Sequence, residues 1–289
     1  MYDICCIGHV TLDKVVTSRA EKHMAGGTAY YFSNAIQHLP VKYKLVTALA
    51  ESEMQSVTNL QDKGIDVKVL PSQHSVYFEN IYAEDQNHRT QRVLQKADAF
   101  TVNDLQDIEA TIYHIGALLA DDVSTELIKY LFGKGNVAVD AQGYLREVVN
   151  QKVNAIDWAD KREVLQYIDI LKVNEHELEV LTGIADIREG AKVLADWGVK
   201  EVVATLGSEG SIIYADDVFY TIPAYKPEAI VDATGCGDTY MAGYLYKRVK
   251  GAGIQEAGEY AAAMAGIKIG ASGPFEGNEA DVLTMLHNK

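Results

Sequence analysis

The sequence predicts an α/β fold built around a mostly parallel β-sheet. Short apolar runs that end in turn residues recur at positions 4–7, 44–48, 112–115, 137–139, 170–173 and 202–205. Segments with helical periodicity lie between most of them, for example 28–38 and 124–132. Strands that alternate with helices are joined by right-handed crossovers, so we expect a parallel sheet covered by helices on both faces. Because no repeat or linker interrupts the pattern, residues 1–289 are expected to form one domain.

One region departs from this alternation. Residues 74–94 contain two strand-like runs around a polar turn at 85–88, and residues 12–17 are extended soon after the first core strand. We expect lid segments at about 11–24 and 74–96, which together form a small β-sheet over a small-molecule site. A simple edge hairpin is the alternative that the pattern leaves open.

Composition excludes several classes of partner. The chain has 26 Lys and Arg against 41 Asp and Glu, a formal charge of −15, and no concentrated basic run, so nucleic acid is not expected to bind. No window approaches eighteen consecutive apolar residues and no secretory signal is apparent, so no membrane association is expected. Three cysteines without framework spacing indicate reduced thiols and a cytoplasmic location. Cys5 and Cys6 are adjacent in a strand and cannot pair with each other.

The strongest local signal is a glycine turn that leads into a helix. Gly235, Cys236 and Gly237 can direct backbone N–H groups at an anion, and the helix that follows adds its positive dipole end. Asp238 falls in the first helical turn, where a carboxylate can accept the proton of an attacking hydroxyl. The alternative is structural, because the helix dipole alone favours Asp in a first turn.

A second pair of residues follows the strand at 170–173. Asn174 and Glu177 lie three apart on one helix face and could hold a hydrated Mg²⁺, which needs few protein oxygens. The same spacing is typical of a capping box, and without other evidence that structural interpretation is favoured.

Further glycines mark places where backbone can approach a ligand. Thr205, Gly207 and Gly210 follow another buried strand and could form a turn beside a nucleotide. Near the start, Asp13 could accept hydrogen bonds from two vicinal hydroxyls. Gly26 and Gly27 open a helix and either admit a sugar or only make a tight turn.

Taken in order, these features resemble the ribokinase family of carbohydrate kinases, also called the PfkB family. The elements that carry the resemblance span the whole chain: Gly8 and Asp13, Gly26-Gly27, the lid segments, Asn174-x-x-Glu177, Thr205-x-Gly207-x-x-Gly210 and Asp232-x-Thr234-Gly235-Cys236-Gly237-Asp238. The resemblance implies a ribokinase-like three-layer α/β/α sandwich with a mostly parallel central sheet and a small β-sheet lid. It also implies transfer of a phosphoryl group from ATP, with Mg²⁺, to a hydroxyl of a sugar, cyclitol or nucleoside.

The resemblance also implies roles for individual residues. Asp238 would be the general base, and the N–H groups of Gly235, Cys236 and Gly237 the anion hole. Asn174 and Glu177 would organise the phosphates and Mg²⁺, the metal being held through water. Thr205, Gly207 and Gly210 would line the ATP side, with an Ala-rich helix around Gly266 near the adenine. The acceptor would be held by Asp13, Gly26 and Gly27. A monovalent cation such as K⁺ often binds beside the anion hole in this family, where Asp232 and Ala233 stand here.

Two differences from the family's motifs, and a similarity to one subgroup, are relevant to the identity of the acceptor. Tyr31 stands where the family usually has Asn, and Ala233 where Thr or Ser is common. Residues 78–82, 91–92 and 140–146 are similar to a subgroup that includes inositol kinases. Asn80 and Arg146 are therefore candidate acceptor contacts, and a turn Asn and an exposed Arg are the simpler alternatives. A lid with an apolar outer face would let two copies of the chain form a homodimer.

Three other functions agree less well with these residues. A catalytically silent nucleotide- or sugar-binding regulator of the same fold would not need the carboxylate of Asp238. A vitamin-precursor kinase typically lacks the lid. A dinucleotide-dependent dehydrogenase needs a glycine pattern that does not follow Gly8.

Overall fold

The computed structural model describes residues 1–17, 20–82 and 89–287, with fifteen strands and ten α-helices in these ranges. The strands are β1 (Tyr2–Ile7), β2 (Thr11–Val16), β3 (Glu21–Gly26), β4 (Tyr43–Leu49), β5 (Asp66–Pro71), β6 (Tyr77–Tyr82), β7 (Arg89–Gln95), β8 (Ala110–Ile115), β9 (Asn136–Asp140), β10 (Arg146–Val149), β11 (Lys152–Ala155), β12 (Ile170–Asn174), β13 (Glu201–Thr205), β14 (Ser211–Ala215) and β15 (Val218–Ile222). The helices are α1 (Thr28–Ile36), α2 (Met54–Asp62), α3 (Val102–Leu105), α4 (Thr125–Phe132), α5 (Lys161–Val164), α6 (Glu175–Thr182), α7 (Ile187–Asp196), α8 (Cys236–Val249), α9 (Ile254–Ile269) and α10 (Glu279–His287).

Nine strands form the central sheet, in the order β15-β14-β13-β12-β9-β8-β1-β4-β5. Neighbouring strands from β13 to β5 run parallel, and only β14 and β15 join the edge antiparallel. Each apolar run predicted as a core strand is found in this sheet. The predicted mostly parallel fold is confirmed.

Two hydrophobic cores cover the two faces of the sheet. Alternation along β1 places Cys5 and Ile7 in one core, and Ile4 and Cys6 in the other. The first core includes residues of α4, α6 and α7, and the second includes residues of α1, α8 and α9. The two adjacent cysteines are free and buried on opposite faces, as expected from the strand period. The result is three layers, with helices on both sides of the sheet.

A second sheet of six strands stands apart from the first, in the order β10-β11-β7-β6-β2-β3. It contains the strands expected in the segments at 11–24 and 74–96, whereas the polar turn expected at 85–88 lies outside the described residues. A third apolar cluster, formed by Val76, Phe78 and Val93 with Leu118 and Leu119, anchors this sheet to a loop of the body. We call this second sheet the lid.

The sequence analysis missed β10 and β11, which extend the lid by one hairpin. These strands have four residues each, and charged or polar residues interrupt both of them, so no apolar run marks them. Asn150 and Gln151 join them with positive φ angles of 51° and 67°. Among residues 1–17, 20–82 and 89–287, no helix is long and apolar enough to cross a membrane.

Candidate active site

A cavity of about 1250 Å³ lies between the lid and the carboxyl edge of the central sheet. Asp140, Asn174 and Thr205 are the last residues of β9, β12 and β13, and all three line it. Carboxyl ends of neighbouring parallel strands meet at one edge of a sheet, which is where α/β proteins bind their ligands. The lid contributes the opposite wall, from β2, β3, β6 and β7.

Two helices begin at this cavity, each after a glycine with positive φ. Gly27 precedes α1 with φ 87°, and Gly235 precedes α8 with φ 77°. A Cβ atom on Gly235 would lie 2.3 Å from Cδ1 of Tyr31, and one on Gly27 would lie 2.5 Å from the His9 carbonyl oxygen. Both conformation and space therefore require glycine. Two positive helix ends are directed at one cavity as a result.

The side chain of Asp238 lies in the first turn of α8 and lines the cavity. Burial, and after it the charge of Asp140, raises the pKa of Asp238 from 3.8 to about 6. Lys172, a hydrogen bond with Thr28 and the charge of Arg146 act in the opposite direction. A carboxylate with a pKa near 6 is ionised at neutral pH and still basic enough to accept a proton.

A buried ion pair lies beside Asp238 and was not found from the sequence. The register of β9 and β12 places Lys172 opposite Asp140, and the Lys172 ammonium donates to Asp140 Oδ2 at 3.0 Å. Lys172 is 6% exposed, and its Nζ would lie 3.3 Å from a Cβ atom on Gly237. Burial works to lower the pKa of Lys172, but the carboxylates of Asp140, Glu177 and Asp238 raise it. The Lys172 ammonium thus lies beside the glycine turn, with its charge paired to the Asp140 carboxylate.

One sequence signal pointed to this pair. Lys172 lies within the apolar run at 170–173, and Asp140 directly follows the run at 137–139. A charged residue inside a strand that is covered on both faces must be paired or must face a ligand.

Asn174 and Glu177 form the capping box that the sequence analysis favoured. Asn174 Oδ1 accepts from the Glu177 N–H, and Glu177 Oε2 accepts from the Asn174 N–H, both at 2.8 Å. Glu177 is 5% exposed, does not line the cavity and uses its carboxylate in the capping box, so its contact with Mg²⁺ through water stays a prediction. Asn174 and Glu175 line the cavity, and their oxygens fit a Mg²⁺ ion that retains several waters.

The lid side of the cavity is polar. Asp13 Oδ1 accepts a hydrogen bond from the Thr11 hydroxyl at 2.7 Å, and Gln91 donates to Asn80 Oδ1 at 3.0 Å. Asp13, Asn80, Gln91 and Arg146 all line the cavity. The two subgroup candidates, Asn80 and Arg146, are therefore brought together with Asp13.

Not every predicted site residue lines the cavity. The predicted residues that do are Asp13, Gly27, Asn80, Arg146, Asn174, Thr205, Gly207, Gly235, Gly237 and Asp238. The others are Gly26, Glu177, Gly210, Cys236 and Gly266. Gly26 packs against Asp13, because a Cβ atom on Gly26 would lie 2.5 Å from Asp13 Oδ2. Gly210 packs in the same way against the Ile222 carbonyl oxygen. Cys236 directs its Sγ at the Asp232 and Ala265 carbonyl oxygens, away from the wall.

Gly266 was expected to lie beside a nucleotide base, but it packs against Tyr225 of the same chain. A Cβ atom on this residue would lie 2.2 Å from the Tyr225 carbonyl oxygen and 3.0 Å from the Tyr225 Cβ. The segment after β15 therefore packs directly on α9, and Tyr225 is 8% exposed.

Comparison with known proteins identifies the family. A model of the pfkB family carbohydrate kinases matches residues 1–281. The chain belongs to this family. A cytidine kinase of Thermococcus kodakarensis is 29% identical and is matched over 89% of this chain and 92% of its own length. The pfkB family and the named relatives are kinases, so the chain is a phosphotransferase that acts on a hydroxyl group.

Solved structures agree with this fold. A pyrophosphate-dependent kinase in the ribokinase family, complexed with a pyrophosphate analog and myo-inositol, superposes with a TM-score of 0.88 and 31% identity, covering 97% of this chain and 99% of that one. The ribokinase of Arabidopsis thaliana superposes with a TM-score of 0.82 at 19% identity, covering 99% and 98%. The second likeness shows the fold.

The raised pKa of Asp238 predicts a stability effect that does not depend on activity. A folded-state pKa of about 6, above the ordinary 3.8, means that the stability of the folded state falls as the pH rises from 3.8 to about 6, and the full cost of the ionised carboxylate is present above that range. We expect Asp238→Asn to raise the thermal unfolding midpoint at pH 8 by about 2–4 °C. The gain should shrink as the pH falls below 6, because the wild-type carboxyl is then protonated.

Asp66→Asn is the matched control. Partial burial works to raise the pKa of Asp66, but the ion pair with Lys44 and a hydrogen bond from Tyr2 lower it overall. This substitution should therefore lower the midpoint slightly at pH 8. Equal destabilisation by both substitutions would show that Asp238 is not held in an unfavourable environment.

Proposed function

We propose that this kinase phosphorylates a small polyol, with a cyclitol of the myo-inositol type as the acceptor, and that Asp238 is the general base. The observation that carries the proposal is the position of the Asp238 carboxylate, on the cavity wall at the start of α8. An acceptor hydroxyl held by the lid would lie between this carboxylate and a phosphate bound at the glycine turn. A regulator that had lost catalysis would gain nothing from a carboxylate there.

The lining of the lid side supports a polyol over a nucleoside. Its polar groups come from Asp13, Asn80 and Arg146, which can each bond a hydroxyl. Phe78, an aromatic residue of this wall, is only 5% exposed, whereas the aliphatic side chains of Val15 and Met24 are half-buried. A nucleobase would need a broad apolar or aromatic face on which to stack.

Phosphoryl transfer depends on positioning and on charge stabilisation. The N–H groups of Gly235 and Gly237 would face the transferred group, whereas the Cys236 N–H donates to the Ala233 carbonyl oxygen at 3.2 Å. Lys172 would offset part of the negative charge of that group. Mg²⁺ bound through water by Asn174 and Glu175 would neutralise charge on the donor phosphates. Asp238 would accept the proton of the attacking hydroxyl, and closure by the lid would exclude water.

The donor has two candidates. The sequence predicts ATP, with the base near Gly266. The contact between Tyr225 and Gly266 fills that place, which favours a donor without a base, and a similar solved structure is described as pyrophosphate-dependent. We therefore propose inorganic pyrophosphate as the preferred donor and retain ATP as the alternative.

A substrate matrix tests acceptor and donor together. Purified protein with Mg²⁺ is assayed for acceptor phosphorylation with myo-inositol, ribose, fructose, cytidine and adenosine, each with pyrophosphate or ATP. We expect turnover with the cyclitol, and higher kcat/KM with pyrophosphate than with ATP. Turnover of cytidine but not myo-inositol would contradict the acceptor proposal. Turnover with ATP alone would contradict the donor proposal.

The base is tested separately from the acceptor. Asp238→Asn should lower kcat by roughly 10² to 10⁴ with little change in the affinity for the donor, because the carboxamide keeps the shape but cannot accept the proton. Steady-state kinetics with the best pair from the matrix, and donor binding by calorimetry, measure the two effects. Asp66→Asn, far from the cavity, should leave kcat unchanged. Near-wild-type turnover of Asp238→Asn would remove this residue from the base role.

A further inference from the structure

A lysine ammonium is fully buried beside the glycine turn. Lys268 lies in the last turn of α9, and none of its side-chain surface is exposed. Its Nζ donates to the Asp232 carbonyl oxygen at 2.9 Å and to the Ala271 carbonyl oxygen at 3.3 Å. The Asp232 carboxylate Oδ2 lies 3.8 Å away. The ammonium is therefore enclosed by oxygen atoms that only accept.

These oxygens form the kind of environment that binds a monovalent cation. Backbone carbonyl oxygens replace the hydration shell of K⁺ in proteins that select it. Here a lysine Nζ already lies among the two carbonyls and the carboxylate, so a K⁺ ion does not fit at the same place. The monovalent cation expected beside Asp232 and Ala233 is thus in conflict with the structure.

The ammonium joins the two loops that form this end of the cavity. Asp232 belongs to the loop that leads into α8, and Ala271 to the loop that follows α9. Asp232 Oδ1 accepts from the Thr234 N–H at 2.9 Å, and its Oδ2 from the Gly273 N–H at 3.4 Å. Partial burial works to raise the pKa of Asp232, but these hydrogen bonds and the charge of Lys268 lower it. The carboxylate is therefore ionised, and it ties both loops to the lysine.

We propose that Lys268 is a built-in substitute for the monovalent cation, so that the phosphate-binding turn is organised without K⁺. Lys268 acts through Asp232 and the backbone of the turn and does not line the cavity, so it is a positioning residue. The activity readout rests on the proposed kinase function, and the unfolding readout does not.

The wild-type protein gives the first test. Initial rates and thermal unfolding midpoints are compared in KCl, NaCl and choline chloride at equal ionic strength. We expect rates that agree within about twofold and midpoints that agree within about 1 °C, because no site specific for K⁺ is linked to folding. Saturable activation by K⁺ alone, or a midpoint that rises with K⁺ alone, would overturn the proposal.

Removal of the ammonium gives the second test. Lys268→Ala leaves the oxygen cage without its cation, and we expect kcat to fall at least tenfold with little change in the KM for the acceptor. Added K⁺ or ammonium should restore part of the rate in a saturable way and raise the unfolding midpoint, whereas choline should do neither. Full activity of Lys268→Ala in choline chloride would contradict the positioning role.

Two further variants keep this test interpretable. Lys247→Ala removes a lysine that pairs with Glu256 at the surface of α8, and its rate should not respond to K⁺. If Lys268→Ala does not fold in choline chloride, folding on addition of K⁺ supports the proposal, and Lys268→Met repeats the rate comparison with the volume retained. If Lys268→Met is as active as the wild type, the proposal is wrong.

Failure of the proposed function is distinguishable from failure of this inference. A wild type inactive with every acceptor would contradict the proposed function, and the unfolding midpoints would still decide the role of Lys268.

Discussion

The structure depends on the burial of charge where α8 begins. Asp238 and Asp140 are two carboxylates that repel each other beside the cavity. Lys172 lies with them, and its ammonium is bonded to Asp140. Removing one partner from such a pair leaves an uncompensated buried charge, which is far more costly than an exposed one. The three side chains therefore form one electrostatic unit, in which Asp140 and Lys172 shift the pKa of Asp238 in opposite directions.

Positive groups around the glycine turn are relevant to how an acidic protein can bind a polyanion. The net charge of −15 opposes the approach of a phosphate donor over most of the surface. Locally, the glycine turn is flanked by two buried ammonium groups, Lys172 on β12 and Lys268 on α9, and by the positive ends of α1 and α8. Low solvent exposure strengthens each of these contributions relative to a surface charge. The positive groups are thus concentrated where phosphoryl transfer is proposed, and each ammonium is balanced by a neighbouring carboxylate, Asp140 or Asp232.

Much of the fold could be predicted because its cause is local. The core strands are apolar runs, and Gly235 has a positive φ that favours glycine whatever surrounds it. Contacts between distant segments could not be predicted in the same way. The pairing of Lys172 with Asp140 depends on the register of β9 and β12, which lie 32 positions apart along the chain. The cage around Lys268 depends on two loops that meet only in the folded chain. Gly266 was placed by resemblance, and its real neighbour is set by how the segment at Tyr225 folds back on α9.

The central claim is that the environment of Asp238 holds its carboxyl group partly basic. It is tested most directly by following the carboxyl carbon of Asp238 by NMR as the pH is changed, with Asp238→Asn used to assign the signal. The account predicts a midpoint near pH 6 in the protein without ligands, well above the ordinary value of 3.8. A midpoint at or below the ordinary value would mean that the carboxylate is simply solvated or strongly paired, and would contradict the account.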